Sequence, residues 1–214
     1  MLPPPIAALF LIAVNTIPLF GVLFFGWSLF SIMFLCWLEN GFVGFFNVFK
    51  IALARASGSS RFTISGRSVS SSNKGIRIVF FILHYGLYWT VHGVLVFMFF
   101  GMSPEPFGSV GLGGLATAAA ALFLSHGVSF FVNFLGNEEY LSVTPDQQMT
   151  EPYSRVVVLH VTILAGGALA NSLGAPLAAL VLLVLLKTAI DLMAHLREHR
   201  KAQMRSNPAA PAGG

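Results

Sequence analysis

Several ionisable side chains lie inside long apolar stretches of the sequence: Glu39, His84, His92, His126, His160, Lys187 and Asp191. A titratable group at the depth of a bilayer is costly to bury unless it is paired, neutral or bound to a ligand. Such a group therefore marks a candidate functional site. The histidines are the most informative members of this set, because an imidazole can bind a metal or carry a proton.

A metal site is the first interpretation of these residues. Three imidazoles with a carboxylate are a ligand set for zinc, iron or copper, and three histidines with an open position are a catalytic pattern. The candidate ligands are His84, His126, His160 and Asp191. The residues predicted to orient these ligands or to relay protons are Glu39, Asn40, His92 and Lys187. If the protein is an enzyme, this set predicts metal-assisted chemistry on a small or lipid-soluble substrate.

Three other interpretations fit the same residues. Two histidines on facing helices, such as His84 with His126 or His160, could be the axial ligands of haem b. A chain of His, Asp, Glu and Lys through a bundle could instead carry protons in a small proton-coupled transporter or channel. The chain could also be a non-catalytic subunit of a larger membrane complex, with its histidines acting as contacts between helices.

Depth along the helices groups some of these side chains. At about 1.5 Å per residue, one group lies roughly 9–13 Å from the predicted cytoplasmic helix ends, and it comprises His84, His126, His160 and Asp191. Glu39 and His92 lie deeper, at roughly 20–24 Å. Four different helices thus place an imidazole or a carboxylate in one slab of the membrane.

The elements that carry these residues are predicted to be membrane-spanning helices. Only 9% of the 214 residues are charged, compared with roughly 25% in a soluble domain. The uncharged runs approach the ~20 residues that a spanning helix needs. The sequence predicts an all-α integral membrane protein, a six-helix bundle with spans at about 6–25, 27–54, 76–100, 112–135, 153–173 and 176–195.

These spans are predicted to form one transmembrane domain over residues 1–199, with a flexible Ser-rich loop at 56–75 and a disordered tail at 200–214. No Lys or Arg precedes the first apolar run, so that run is expected to be a retained span and not a cleaved signal peptide. The single cysteine, Cys36, excludes an internal disulfide and a cysteine-based metal cluster.

The basic residues predict the orientation of the bundle. They gather around the loop between spans two and three, before span five and after span six: Lys50, Arg55, Arg61, Arg67, Lys74, Arg77, Arg155, Arg197, Arg200, Lys201 and Arg205. Positive charge favours the cytoplasmic side, so both termini are predicted to be cytoplasmic, in the cytoplasmic membrane of a prokaryote. The expected partners are the lipid bilayer and either other membrane subunits or further copies of the chain; nucleic acid is not expected.

Close packing of the second span against another helix is predicted from its small residues. Gly41 and Gly44 form a small-residue pair of the kind that lets two membrane helices approach. Trp37, Tyr85 and Trp89 are interpreted as packing residues and not as a cofactor site.

Five segments carry a family resemblance: WLENGFVGFFNVFKI (37–51), HYGLYWTVHG (84–93), SHGVSFFVNFLG (125–136), PYSRVVVLHVTILAGG (152–167) and LLVLLKTAIDLMAHLREH (182–199). Together they resemble an uncharacterised family of bacterial and archaeal multi-pass membrane proteins, classed only as a domain of unknown function. The resemblance extends from about Asn15 to His199. It implies a six-span membrane fold and supplies no reaction.

Overall fold

The structure, a computed structural model, describes residues 19–56, 63–64, 67–68, 73–102, 106–172, 181–182, 184–186 and 188–189. A helical segment covers residues 19–25. The elements that follow are α1 (Leu29–Leu53), β1 (Thr63–Ile64), β2 (Arg67–Ser68), α2 (Lys74–Phe100), α3 (Gly111–Ser129), a π-helical segment (Phe130–Gly136), a 3-10 turn (Glu139–Leu141), α4 (Pro145–Thr150) and α5 (Tyr153–Ser172). The described part of the chain is almost entirely helical.

Three of the described helices are long and apolar enough to cross a membrane, namely Leu29–Leu53, Lys74–Phe100 and Gly111–Gly136. They correspond to the predicted second, third and fourth spans, and α5 corresponds to the fifth. Most of the predicted first and sixth spans, like the C-terminal tail, lies outside the described residues. An all-helical protein with membrane-length helices is therefore confirmed at this coarser level.

The Ser-rich segment contains secondary structure that its composition did not predict. Strands β1 and β2 pair antiparallel, with Thr63 opposite Ser68 and Ile64 opposite Arg67. A Ser-Gly dipeptide stands between the two strands in the sequence, and such dipeptides are typical of tight turns.

The start of α1 is tied to the loop that precedes α3. The Ser28 hydroxyl caps α1 by accepting a hydrogen bond from the Ser31 backbone N–H, at 3.0 Å, and donates one to the Pro106 carbonyl. Ser31 Oγ donates to the Phe107 carbonyl, also at 3.0 Å. These bonds satisfy polar groups that would otherwise be left open at a helix end. They hold the beginnings of α1 and α3 at the same end of the bundle.

Helices α1 and α2 pack as an antiparallel pair through two indoles. The rings of Trp37 and Trp89 stack with centroids 4.4 Å apart. Trp37 Nε1 donates to the Trp89 carbonyl at 2.7 Å, and Trp89 Nε1 donates to the Trp37 carbonyl at 3.0 Å. Each indole covers a glycine of the other helix, since a Cβ at Gly41 or Gly93 would lie within 3 Å of the facing indole. The predicted packing role of these residues agrees with this geometry.

The main apolar core joins α1, α2 and α5. Met33, Val96 and Ile163 come from these three helices and are fully buried in one cluster. Val184, which follows α5 in the sequence, is buried in the same cluster. The core therefore brings the helices that carry Glu39, His92 and His160 into contact with one another.

Helices α1 and α3 run parallel and meet through phenylalanines. Phe42 contacts Phe123 with ring centroids 5.3 Å apart, and Phe46 contacts Phe130 at 5.8 Å. The α-helical hydrogen bonding of α3 changes to π-helical over Phe130–Gly136, a widened turn that occurs frequently at functional sites. The periodicity of apolar residues did not predict this change, because a π-turn has no strong sequence signal.

The connection between α3 and α5 folds back against the end of α1. Asn47, which is buried, donates from Nδ2 to the Gln148 carbonyl at 3.0 Å, and Gln148 Nε2 donates to Asn47 Oδ1 at 2.6 Å. Arg77 of α2 is 0% exposed and donates from Nε to Asp146 Oδ1 at 2.5 Å. Helix α4, which carries Gln148 and Asp146, is thereby fixed across the end of α1 and the beginning of α2.

Candidate functional site

The candidate polar side chains that the sequence places inside the described spans belong to two groups. One group lies between α2 and α5 and contains three histidines and two tyrosines. The other lies where α1, α3 and α5 meet and contains a carboxylate, an imidazole and a guanidinium. Both groups are built by contacts between helices that are distant in sequence.

A hydrogen-bonded pair of imidazoles forms the centre of the first group. His92, which is 2% exposed, has its Nδ1 2.6 Å from the Tyr88 carbonyl and its Nε2 2.9 Å from His160 Nδ1. A carbonyl only accepts, so His92 Nδ1 carries the proton of the first bond. In the neutral pair, His92 Nε2 is then the acceptor and His160 Nδ1–H is the donor. The environment thus assigns a tautomer to each ring.

A second histidine contact joins the same two helices nearer to the beginning of α5. His84 Nδ1 and the Tyr153 hydroxyl lie 2.7 Å apart. The ring of Tyr88 stands between the two levels, with its centroid 5.1 Å from that of His84 and 6.1 Å from that of His92. We refer to His84, Tyr88, His92, Tyr153 and His160 together as the α2–α5 ladder.

The spacing of the ladder gives the relative direction of its helices. Eight residues separate His84 from His92, and seven separate Tyr153 from His160, which correspond to about 12 Å and about 10 Å along an α-helix. The earlier residues contact each other, and so do the later ones. Helices α2 and α5 therefore run in the same direction, with matched polar positions.

The second group is centred on Glu39. Its Oε1 lies 3.4 Å from His126 Nε2 of α3 and accepts a hydrogen bond from Arg155 Nη1 of α5, also at 3.4 Å. Glu39 and His126 are largely buried, whereas the Arg155 side chain is 49% exposed. One carboxylate thus has two cationic or potentially cationic partners from different helices.

Asn40, next to Glu39, is held by the helix backbone. Its Nδ2 donates to the Cys36 carbonyl at 2.9 Å, and its own carbonyl accepts from the Tyr85 hydroxyl at 2.9 Å. Its Oδ1 is buried and has no hydrogen-bond partner among the described residues. A buried amide oxygen of this kind is a position for a donor such as water.

The predicted metal ligands have separate partners in the structure. His84 contacts Tyr153, His126 contacts Glu39, and His160 contacts His92. Across the part of the chain that the structure describes, no group of three or more His, Cys, Asp or Glu side chains could hold a metal ion. Asp191 and Lys187 lie outside the described residues. The metal and haem interpretations therefore stay predictions.

Sequence reasoning missed two residues of these sites and one buried cation outside them. Tyr153 was predicted only as the start of a helix, and Arg155 only as a charge that sets orientation. Arg77 was assigned to the same orientation signal, yet it is fully buried against Asp146. Nothing in the spacing of the sequence links these residues to their partners, because every contact crosses between helices.

Comparison with known proteins gives a family and no function. The family described as "Family of unknown function (DUF6498)" matches residues 2–208. No curated protein and no solved structure gave a match. The match covers nearly the whole chain, including both groups of polar residues.

Proposed function

The chain belongs to this family of unknown function, and we propose that it is a multi-pass membrane protein that moves protons along the α2–α5 ladder, as a small proton-coupled transporter or channel. The hydrogen bond between His92 and His160 carries the proposal. A buried imidazole and a more exposed one in direct contact between two apolar helices can exchange a proton without moving the helices, whereas a single metal site needs convergent ligands.

The transfer across this pair is a sequence of defined proton positions. A proton taken up by His160 Nε2 makes that ring an imidazolium. The Nδ1–H of His160 then passes its proton across the 2.9 Å contact to His92 Nε2. The positive charge moves to His92, whose Nδ1–H is already directed at the Tyr88 carbonyl. The carbonyl stabilises the buried cation, and the step conserves every proton.

His84 and Tyr153 supply the next level of the relay. Their contact of 2.7 Å allows a proton to pass between a ring nitrogen and a hydroxyl. The separation of about 12 Å from His92 along α2 is longer than one hydrogen bond. Transfer between the levels therefore uses water, with the Tyr88 side chain between them.

Glu39 is proposed to balance the charge of the relay. It contacts Arg155, which lies two residues beyond Tyr153 on α5, and His126 of α3. Protonation of His126 would strengthen its attraction to Glu39, and protonation of Glu39 would release both partners. This carboxylate can thus couple the charge of the ladder to the position of α3.

The proposal includes six spans with both termini on the cytoplasmic side. The parallel direction of α2 and α5 supports it, since an odd number of crossings must lie between two parallel spans, and α3 lies between them. Lys50, Arg55, Lys74 and Arg77 lie where α1 ends and α2 begins. Positive charge at that end favours the cytoplasm.

Proton flux into liposomes tests this function. The purified protein is reconstituted with an internal pH-sensitive dye, and a potassium diffusion potential drives the flux. We expect flux with the wild type and a loss of about tenfold or more with His92→Gln or His160→Gln, because removal of a positioned proton carrier costs about two to four orders of magnitude in comparable steps. Thr90→Ala is the matched control, since Thr90 is an exposed residue of the same helix. Equal flux in protein-free liposomes would contradict the proposal.

Elemental analysis of the same samples separates the proposal from the predicted metal site. A proton relay predicts no stoichiometric zinc, iron or copper and no Soret band. One equivalent of metal in the wild type that is lost in His126→Ala would favour the predicted set of His84, His126, His160 and Asp191. That outcome would replace the relay as the assigned role of these histidines.

A further inference from the structure

Two adjoining apolar cavities lie on one flank of the described helices. The larger, about 580 Å³, lies between α1 and the α3–π-helical segment. The smaller, about 400 Å³, lies between α1, α2 and α3. Both are lined in part by Phe45 and Phe123, which therefore form a shared wall. The pair is a divided apolar surface and not a single round pocket.

We propose that these cavities bind one anionic diacyl phospholipid, with one acyl chain on each side of the Phe45–Phe123 wall. The volumes fall in the range of about 300–1,000 Å³ that small-ligand pockets occupy. The proposal requires that the helices span a membrane, and it is independent of the proton relay. It is a separate site, because neither cavity is lined by a histidine or a carboxylate.

The π-helical segment contributes to the larger cavity. Phe130, Phe131 and Val132, at the start of this segment, line it opposite Phe46 and Phe49 of α1. Directly before the segment, α3 approaches α1 closely, since a Cβ at Gly127 would lie 3.4 Å from the ring of Phe46. Helices α1 and α3 thus come closest at Gly127, and the space that remains between them beside this contact is the larger cavity. A local departure from α-helical geometry accompanies the concave surface.

Charge at one end of the larger cavity selects the headgroup. Lys50 follows Phe49 in α1, and its ammonium lies 5.4 Å from the centre of the Phe134 ring. Phe134 stacks on Phe130, which lines the cavity. The Phe134 ring therefore separates the Lys50 ammonium from the cavity lining at Phe130. Lys50 lies about one helical turn after Phe46 in α1. Basic residues between membrane helices at the cytoplasmic side bind anionic headgroups.

Native mass spectrometry tests this site on the complete protein. The protein is reconstituted in vesicles of equal parts phosphatidylglycerol and phosphatidylcholine and then released into detergent. We expect one retained phosphatidylglycerol per chain, and weaker retention of lysophosphatidylglycerol, which has a single acyl chain. Equal retention of phosphatidylglycerol and phosphatidylcholine would overturn the choice of an anionic lipid.

Two pairs of variants separate the headgroup contact from the acyl-chain contact. Lys50→Gln is expected to lower retention about fivefold, the effect of one basic residue near an anionic membrane surface; Lys74→Gln, at the start of α2, is its control. Val128→Trp fills the larger cavity and should lower retention of every diacyl lipid, whereas Val79→Trp adds the same ring at another exposed position. Unchanged retention in both Lys50→Gln and Val128→Trp would refute the site.

Photolabelling of the wild type keeps the proposal testable if a variant fails to fold. Phosphatidylglycerol with a diazirine in its acyl chain is activated in the vesicle, and the labelled peptides are sequenced. We expect the label on residues 123–132 and 45–49. Labelling spread evenly over all apolar helices would show that lipid surrounds the protein without a preferred site.

Discussion

At the residue scale, glycines decide how closely two helices approach. Gly44 of α1 lies against the ring of Tyr85, and a Cβ there would stand 2.4 Å from Tyr85 Cε1. Tyr85 in turn donates its hydroxyl to the Asn40 carbonyl, next to Glu39. Gly86, on α2, has no atom within 4 Å of its Cβ position. Gly44 of α1 is thus tightly packed and Gly86 of α2 faces open space, so the two glycines have opposite packing roles.

Gly44→Ala is expected to destabilise the protein by about 1–3 kcal/mol, because overpacking forces the helices apart. Alanine favours a helix over glycine by about 0.5–1 kcal/mol, so Gly86→Ala should be neutral or stabilising. Unfolding in mixed micelles of mild detergent and dodecyl sulfate measures both changes. If Gly44→Ala proved as stable as Gly86→Ala, the close approach of Tyr85 would be excluded.

At the element scale, α4 connects the helices that carry the two polar groups. It contacts α1 through Asn47 and α2 through Arg77, and it precedes Tyr153 by only a few residues. The α2–α5 ladder therefore begins close to the point where α4 is held against α1 and α2. Burial of the Arg77 guanidinium makes the anchor depend on its carboxylate partner, since an unpaired buried charge is costly.

Asp146→Ala is expected to destabilise the protein by about 3–5 kcal/mol, since it leaves Arg77 buried without this carboxylate. The double variant Arg77→Met with Asp146→Leu should recover most of that loss, because apolar residues replace the pair without a desolvation cost. Glu151→Gln, an exposed change on the same connection, is the control. Thermal unfolding in detergent ranks the variants; a double variant less stable than Asp146→Ala would contradict this reasoning.

At the scale of the whole molecule, helix directions support the proposed topology. Phe42 contacts Phe123, and the later residue Phe46 contacts the later residue Phe130. The order of contacts is the same along both helical segments, so α1 and α3 are parallel. The ladder makes α2 and α5 parallel. Alternating direction along the sequence is what four successive crossings of a membrane would produce.

Accessibility of introduced cysteines tests the topology. With Cys36 replaced by serine, single cysteines at Ser72 and at Ser109 should react from opposite sides with a membrane-impermeant maleimide. Only Ser109→Cys should be labelled in intact cells, because the basic segment around Ser72 is predicted to be cytoplasmic. Labelling of Ser72→Cys alone in intact cells would reverse the orientation, and equal labelling of both would exclude α2, the helix between them, as a full span.

Composition and periodicity determined much about this protein by themselves. Long uncharged runs predicted membrane-length helices, and the small residues Gly41 and Gly44 predicted that another helix packs closely on α1, because both signals are local properties of a helix. The same local reasoning identified the histidines as costly to bury. It could not pair them, since each helix presents its polar residues without any mark of their partners.

Only the tertiary structure decided those pairs. Packing of α5 against α2 placed His160 on His92 and Tyr153 on His84, and packing of α3 and α5 against α1 placed His126 and Arg155 on Glu39. It also buried Arg77, whose charge had been interpreted only as part of the signal that orients the bundle. The physical reason is common to all of them: a hydrogen bond or ion pair requires two groups within a few ångströms, and the folding of distant segments, not their order in the chain, brings them to that distance.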